Sequence, residues 1–329
     1  MLYYMKKLGH QELGSVGEDG RPKRGRYIYI SKDQEVLSFF PPLSDCVLND
    51  SSLLPIIPLY LNTNQKVYCN YIFHNDKYTT PSGTRDEYRI YCNNALESNQ
   101  FLFKENDILV IKEDTVYLDG DEQTVYFCEL LNEQDTALYK QCNDLINSSN
   151  IRGAHALYTG RIPEIENKID SIVKNGQVDI VIDDTVTKKM EKEKETDAMA
   201  NLFNANTFRD FVMVGYNNLC AITGTVIKYD NFTNLEAAHI MPKSHGGLYL
   251  PSNGIALCRD LHWAFDKGFL TLDDNYKVLI HPKTTSDYLR TFEGKQIYIP
   301  SNPFFVPNLD NIHYHNDVVY GLFLTSGRL

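Results

Sequence analysis

The sequence has 329 residues, with 32 lysines and arginines against 43 aspartates and glutamates and a formal net charge of −11. That length predicts two domains joined by a connector, and the acidic balance argues against indiscriminate attachment to nucleic acid, which draws its affinity mainly from neutralised phosphates. No apolar run approaches the ~20 residues that cross a bilayer, the opening Met1-Leu2-Tyr3-Tyr4-Met5-Lys6-Lys7 leads into no signal-peptide core, and seven scattered cysteines fit a reducing compartment; a soluble, cytoplasmic protein without a membrane partner is expected.

The first 150 residues read mostly as strands. Tyr27–Ile30, Val67–Phe73, Glu87–Tyr91, Ile108–Ile111 and Val125–Leu130 are β-branched and aromatic runs separated by turn residues. Their spacing predicts a barrel or sandwich. Charge is unevenly spread: residues 104–144 hold eleven acidic side chains against three lysines, whereas Arg21, Lys23, Arg24 and Arg26 cluster beside Tyr27 and Tyr29. A basic arm of this kind can meet a DNA duplex while the acidic part faces away, the plain alternative being a solvated charged turn. Gly83–Tyr91, followed by Phe101 and Asn106–Val110, resembles the pseudobarrel that reads DNA in EcoRII-type restriction enzymes and plant B-three factors. That resemblance implies DNA contacts from Arg24, Arg26, Arg85 and Arg89, since arginine pairs bidentately with guanine or phosphate. Arg85 and Arg89 could equally bridge to the neighbouring Asp86 and Glu87.

Residues 151–206 read as a helical connector. Pro163 precedes a segment in which Ile165, Ile169 and Ile172 recur at helical spacing, and Gly176 closes it. Lys188 to Glu195 alternates in sign around Met190, as an exposed helix or linker does. Phe203, Phe208 and Phe211 then suit a helix docked on the core that follows.

The densest chemistry lies between Cys220 and Gly268. Leu235–Ile240 reads as a strand ending before Met241-Pro242, with His239 at its end. An imidazole titrates near neutrality and can take a proton from water without a large shift. Lys243-Ser244-His245-Gly246-Gly247 is a tight loop, Asn253 lies in a turn that its amide can brace, Ile255–Cys258 is a short buried run, and Arg259–Asp266 suits a helix with Gly268 just past its end. His262 and Asp266, four apart, share a helical face; an imidazole and a carboxylate suit Mg²⁺ or Mn²⁺ as readily as zinc. Trp263 is read as a core anchor of this helix.

The ordered set resembles the HNH family of ββα-metal endonucleases, in particular a subgroup with an Ala-Ala-His-Ile strand, an Asn-Gly-x-x-Leu-Cys turn and His-x-x-Phe-Asp-x-Gly. The resemblance implies that His239 is the general base, Asn253 the loop brace and His262 a metal ligand. Many members carry an acid or a second histidine where this chain has Ala238, so the missing oxygen must come from Asp266 or Glu236. Asp266 is preferred, because strand alternation sets Glu236 on the face opposite His239. Relatives with two Cys-x-x-Cys pairs hold structural zinc; here only Cys220 and Cys258 remain, Thr223 and Leu261 standing in the other places, and no structural zinc is expected. Lys243, His245 and Arg259 are candidate DNA contacts.

Together these readings give an α+β chain: a β-rich DNA-recognition pseudobarrel over 1–150, a helical connector over 151–206, and a ββα-metal (HNH) nuclease domain with a C-terminal tail over 207–329. The expected activity is Mg²⁺- or Mn²⁺-dependent cleavage of double-stranded DNA by a type II restriction enzyme, as a homodimer, with a cognate DNA methyltransferase acting on the same site. A modification-dependent defence nuclease and a non-cleaving DNA-binding or ligand-sensing protein with an HNH-derived fold are the alternatives.

Overall fold

A computed structural model describes residues 1–16, 22–79, 81–98, 102–134, 136–192, 202–229 and 232–323. Arg21 and Phe101, singled out above, lie outside these, as do residues 193–195 of the charged run. The chain divides into two compact units, Met1–Lys189 and Met190–Leu329.

The first unit is built on strands β1 (Leu2–Lys7), β2 (Ser15–Val16), β3 (Pro22–Arg24), β4 (Tyr27–Ile30), β5 (Ser51–Pro58), β6 (Gln65–His74), β7 (Glu87–Tyr91), β8 (Ile108–Leu118), β9 (Asp121–Leu131), β10 (His155–Thr159) and β11 (Asp179–Val181). Nine of them form one sheet in the order β10-β1-β8-β9-β5-β6-β7-β4, with β11 added in parallel to β6, and β2 pairs with β3 separately. Side chains alternate between two cores. On one face Tyr3, Met5, Val110 and Phe127 pack under α3 (Thr136–Ser148) and α4 (Pro163–Asn175), the latter through the predicted Ile165, Ile169 and Ile172. On the other, Tyr4, Leu109, Tyr126, Ile56, Val67, Ile90, Ile28 and Ile30 share a single core. Since β1 and β4 lie near opposite ends of the strand order yet fill one interior, the sheet must curl around it, giving the expected pseudobarrel.

The boundaries need correction. Residues 151–181 are not a connector: β10 pairs with β1, β11 pairs with β6 and α4 covers the outer face, so all three complete the first unit. The helix over 163–175 is real, but its partners lie far away in sequence, and nothing local announces them.

The second unit contains α5's last residues, where α5 spans Asp184–Lys192, then α6 (Ala205–Gly215), the pair β12 (Lys228–Tyr229) and β13 (Phe232–Thr233), the hairpin β14 (Leu235–His239) and β15 (Gly254–Cys258), α7 (Arg259–Asp266), the pair β16 (Leu270–Leu272) and β17 (Val278–Ile280), α8 (Asp287–Arg290) and α9 (Leu309–Val318). One apolar core joins α6, the β14–β15 hairpin, α7, β16–β17 and α9. Gly268 follows α7 with φ +73°, the left-handed residue that ends many helices. Among the described residues, no helix is long and apolar enough to cross a membrane.

Candidate active site

The β14–β15 hairpin pairs His239 with Gly254 and Glu236 with Leu257, and its two faces take different helices. On the His239 face lies α6. The imidazole stacks on Phe208 at 4.2 Å between ring centroids and meets Tyr249 edge-on at 5.4 Å. Gly254 lets the helix come this near, because a Cβ there would sit 2.2 Å from Val212 Cγ2 and 2.9 Å from the Phe208 ring. Facing Glu236 is α7, whose His262 Nδ1 lies 2.7 Å from Glu236 Oε2.

His239 is half-buried, and its Nε2 is buried without a hydrogen-bond partner among the described residues. Burial, helped by the charges of Lys243 and His262, lowers its pKa to about 4. At neutral pH the ring is therefore uncharged and has a lone pair to offer.

Beyond His239 the loop is held shut by Asn253, which is 2% exposed. Its Oδ1 accepts from Met241 N at 2.8 Å, and its Nδ2 donates to Met241 O and Leu248 O, both at 3.1 Å. Backbone bonds extend the clamp: Ile240 N donates to Asn253 O at 2.9 Å and Gly247 N to Pro242 O at 3.0 Å. At Gly247 a Cβ would fall 1.9 Å from Met241 O, so only glycine permits the loop to fold this tightly. The geometry places Asn253 where a brace would have to be.

His262 sits between two carboxylates, with Glu236 at Nδ1 and Asp266 Oδ2 at 3.4 Å from Nε2. Glu236 also accepts from Arg259 Nε at 3.0 Å. Glu236, a metal-ligand candidate of the sequence, is thus engaged by His262 and Arg259. Its carboxylate holds the Nδ1–H side of the ring, a position from which a carboxylate fixes the tautomer and leaves Nε2 free to bind. His262 and Asp266 are the pair that could hold a metal ion. Donors around an ion with ~2.1 Å bonds stand roughly 3 Å apart when adjacent in an octahedron and somewhat more in a tetrahedron, a spacing close to the 3.4 Å between His262 Nε2 and Asp266 Oδ2. Among the described residues no cluster of three or more His, Cys, Asp or Glu side chains gathers around one point. Burial raises the Asp266 carboxyl above its usual range, with His262 pulling the other way.

Other expectations fare unevenly. Lys243 is exposed, its ammonium 4.2 Å from the Tyr249 ring centroid. His245 is half-buried with Nδ1 unpartnered among the described residues, edge-on to Tyr314. Arg259 is exposed but engaged by Glu236. Trp263 is not a core anchor: it is 57% exposed and only stacks on Phe269, while Leu261, Ala264 and Phe265 of the same helix are buried. Cys220 and Cys258 are both buried, and burial together with the neighbouring Cys220 pushes the Cys258 thiol up to about 11. Thr223 Oγ1 lies 3.9 Å from Cys258 Sγ, and Leu261 is fully buried.

In the first unit the arginine assignments change most. Arg26 is not available to DNA: Nε and Nη2 grip Glu97 at 2.7 and 2.8 Å, Nη2 also donates to Phe103 O at 2.8 Å, and Nη1 donates to Leu13 O. Arg85 pairs with Asp76 at 2.6 Å rather than with Asp86. Arg89 bridges to Glu87, as the alternative held, and lies 3.9 Å over the Tyr27 ring. For Arg24 only the backbone is described, in β3 opposite Ser15.

Sequence reasoning missed two contacts to the candidate residues, the Phe208 stack on His239 and the Glu236 hold on His262. The first had a faint signal in the phenylalanine spacing ahead of the motif; the second needed the packing of α7.

Residues 220–273 match the family model described as HNH endonuclease. Among solved structures the chain is similar to the modification dependent TagI restriction endonuclease, with 15% identity, a TM-score of 0.29 and coverage of 81% of this chain and 67% of that one. It is also similar to the B3 domain of the UbaLAI restriction endonuclease with cognate DNA, with 17% identity, a TM-score of 0.30 and coverage of 47% and 85%. No curated protein matches the sequence. With the matched residues folded as a ββα unit, His239 on its hairpin and His262 on its helix, residues 220–273 are an HNH endonuclease domain and the chain is a phosphodiester hydrolase.

Proposed function

We propose that the protein is a metal-dependent DNA endonuclease of the type II restriction class, in which the second unit cuts and the first reads DNA. The observation that carries this reading is that one ββα unit holds His239 at the end of its hairpin strand and His262 with Asp266 on its helix. His239 takes the proton of the attacking water, its neutral ring being ready at physiological pH. Phe208 fixes the plane of that ring and Asn253 the loop that follows it. Glu236 holds His262 with Nε2 turned toward Asp266. A divalent cation bound between His262 and Asp266 would offset the charge growing on the phosphate and on the leaving 3′-oxygen. An arriving phosphodiester brings negative charge, which raises the pKa of His239 and strengthens it as a base when substrate is present. The products are 5′-phosphate and 3′-hydroxyl ends.

One such site cuts one strand, so a double-strand break calls for a homodimer with two sites on opposite strands, and a host carrying the enzyme needs a methyltransferase for the same sequence. The test is cleavage of unmodified supercoiled plasmid with Mg²⁺ or Mn²⁺ and with chelator. His239→Ala should lower turnover by roughly 10²-fold or more while DNA affinity stays near that of the parent. Near-normal cutting by that variant removes His239 from the role of base, and metal-independent cutting removes the cation.

A further inference from the structure

The first unit contains a cavity of about 740 Å³ at the place where β1, the start of β10 and the end of β4 come together. Its lining is unusual for the seam of a pseudobarrel. Lys6 and Glu12, each about 5% exposed, form a 3.0 Å ion pair there, and His155, 3% exposed, lines it beside them. Part of this polarity serves the fold, because Glu12 accepts from Gly9 N and Tyr29 N, both at 2.7 Å, and so ties β4 to the segment after β1. Two hydrogen-bonding positions are left over. Among the described residues Glu12 Oε1 receives only the Tyr29 N–H, which leaves it a second lone pair. His155 Nδ1 lies 2.6 Å from Tyr4 Oη, whose other acceptor, Tyr29 O, is 3.5 Å away, so the phenol proton goes to Nδ1 and Nε2 carries the ring hydrogen. Burial and the Lys6 charge hold His155 down to about 3, so the ring stays neutral.

A ligand that suits this floor is small and neutral, with a donor for Glu12 next to an acceptor for His155. The amino group and adjacent ring nitrogen of cytosine or adenine are such a pair; thymine would set a carbonyl oxygen against the carboxylate. Arg152 stands exposed at the rim, where a phosphate backbone would run, while Lys32 there pairs with Asp86. The volume admits a whole nucleotide.

We propose that this cavity receives a single amino-bearing nucleobase swung out of a DNA strand, its edge read by Glu12 and His155. The proposal rests on the reading of the first unit as the DNA-recognition part and deepens it: recognition includes the removal of one base from the stack. Swinging out a base costs its stacking and pairing, least where it has lost its partner.

The test measures binding of the full-length chain, without divalent metal, to duplexes that carry one cytosine, adenine or thymine opposite an abasic position, against the fully paired duplex. Cytosine or adenine facing the gap should bind on the order of tenfold or more tightly than the paired duplex, and thymine should gain less. Asn150→Trp plugs the cavity mouth from an exposed position and should erase the preference without lowering the melting temperature; His155→Gln should weaken it. Equal binding to paired and gapped duplexes overturns the proposal, as does a preference that survives Asn150→Trp. Saturable binding of free cytidine or adenosine monophosphate, blocked by the plug but unaccompanied by any preference for gapped DNA, also overturns it, since the base would then come from a free nucleotide. If no duplex is bound while plasmid is still cut, the proposal falls and the nuclease reading stands; if plasmid is not cut either, both fall.

Discussion

Glu236 offers the sharpest test of how the metal end of the site is built. Its carboxylate lies 2.7 Å from His262 Nδ1 and 3.0 Å from Arg259 Nε, with side-chain exposures of 40%, 22% and 70% for Glu236, His262 and Arg259. An ion pair this exposed contributes less than about 1 kcal/mol to stability, so Glu236→Ala and Glu236→Gln should both melt close to the parent. Function should suffer more. Without an acceptor at Nδ1 the His262 ring loses its fixed tautomer and orientation, and loss of such a partner costs about 10–100-fold in metal affinity or activity. Glutamine still presents an oxygen to Nδ1, giving up the charge but keeping the direction, and a neutral acceptor is roughly half as strong as an ionised one. The expected order is therefore parent, then Gln, then Ala, read from initial nicking rates across a Mg²⁺ or Mn²⁺ titration. A glutamine variant as impaired as alanine would mean that Glu236 binds the metal directly and would refute the orienting role.

Three further outcomes follow from the same coordinates. Asn253→Ala strands the buried Met241 N–H and two carbonyl oxygens, at about 1–3 kcal/mol for an unpaired buried group, so thermal melts should show the second unit destabilised and nicking lost together; an unchanged melt contradicts the clamp. Arg26→Ala leaves Glu97, 3% exposed, without its guanidinium, which should cost the first unit about 3–5 kcal/mol, and a stable variant with weakened DNA binding would instead restore Arg26 as a DNA contact. Acid should weaken both units through His155 and His315, lowered by burial to about 3 and about 4. Because their folded values lie below the unfolded one, the unfolded chain binds protons that the folded chain refuses, so stability is whole above pH ~6.5 and falls as the pH drops through that value toward 4. His315 alone should contribute about 2 kcal/mol of loss between pH 7.5 and 5, measurable by denaturant melts; a flat profile across that range would show that these rings take up protons in the fold as readily as in the unfolded chain.

The nuclease end was legible because its signals are local. Strand, loop, turn and helix follow one another within about fifty residues, and helical spacing alone put Asp266 beside His262. Strand alternation also sorted Glu236 from His239 correctly, but it could not say what covers the other face: α7 crosses there, which is how Glu236 comes to hold His262. Trp263 misled because hydrophobic type is a weaker guide than helical position. Leu261, Ala264 and Phe265 occupy the inward stripe and leave the indole outside. In the first unit the β-rich reading named five strand segments, and all five lie in strands of the sheet. Arginine roles were illegible for a different reason. The partner of Arg26 is 71 residues away, and a cluster of basic residues in sequence says nothing about which of them the fold will enclose.

The place of β1 in the sheet bears on how the chain acquires its shape. It lies between β8 and β10, so it finds its neighbours only after residues 108 and 155 have followed. Pairings this distant are slow to form, because the intervening chain must be closed before any contact rewards it. Until then Tyr3, Tyr4 and Met5, wholly enclosed in the finished protein, remain open to solvent on a nascent strand that carries Lys6 and Lys7 at its end. On the ribosome the first unit can close only when the stretch through β11 has emerged, while the nuclease residues are still being added, and a truncation at residue 150 should yield an aggregating fragment where one at 189 yields a soluble fold.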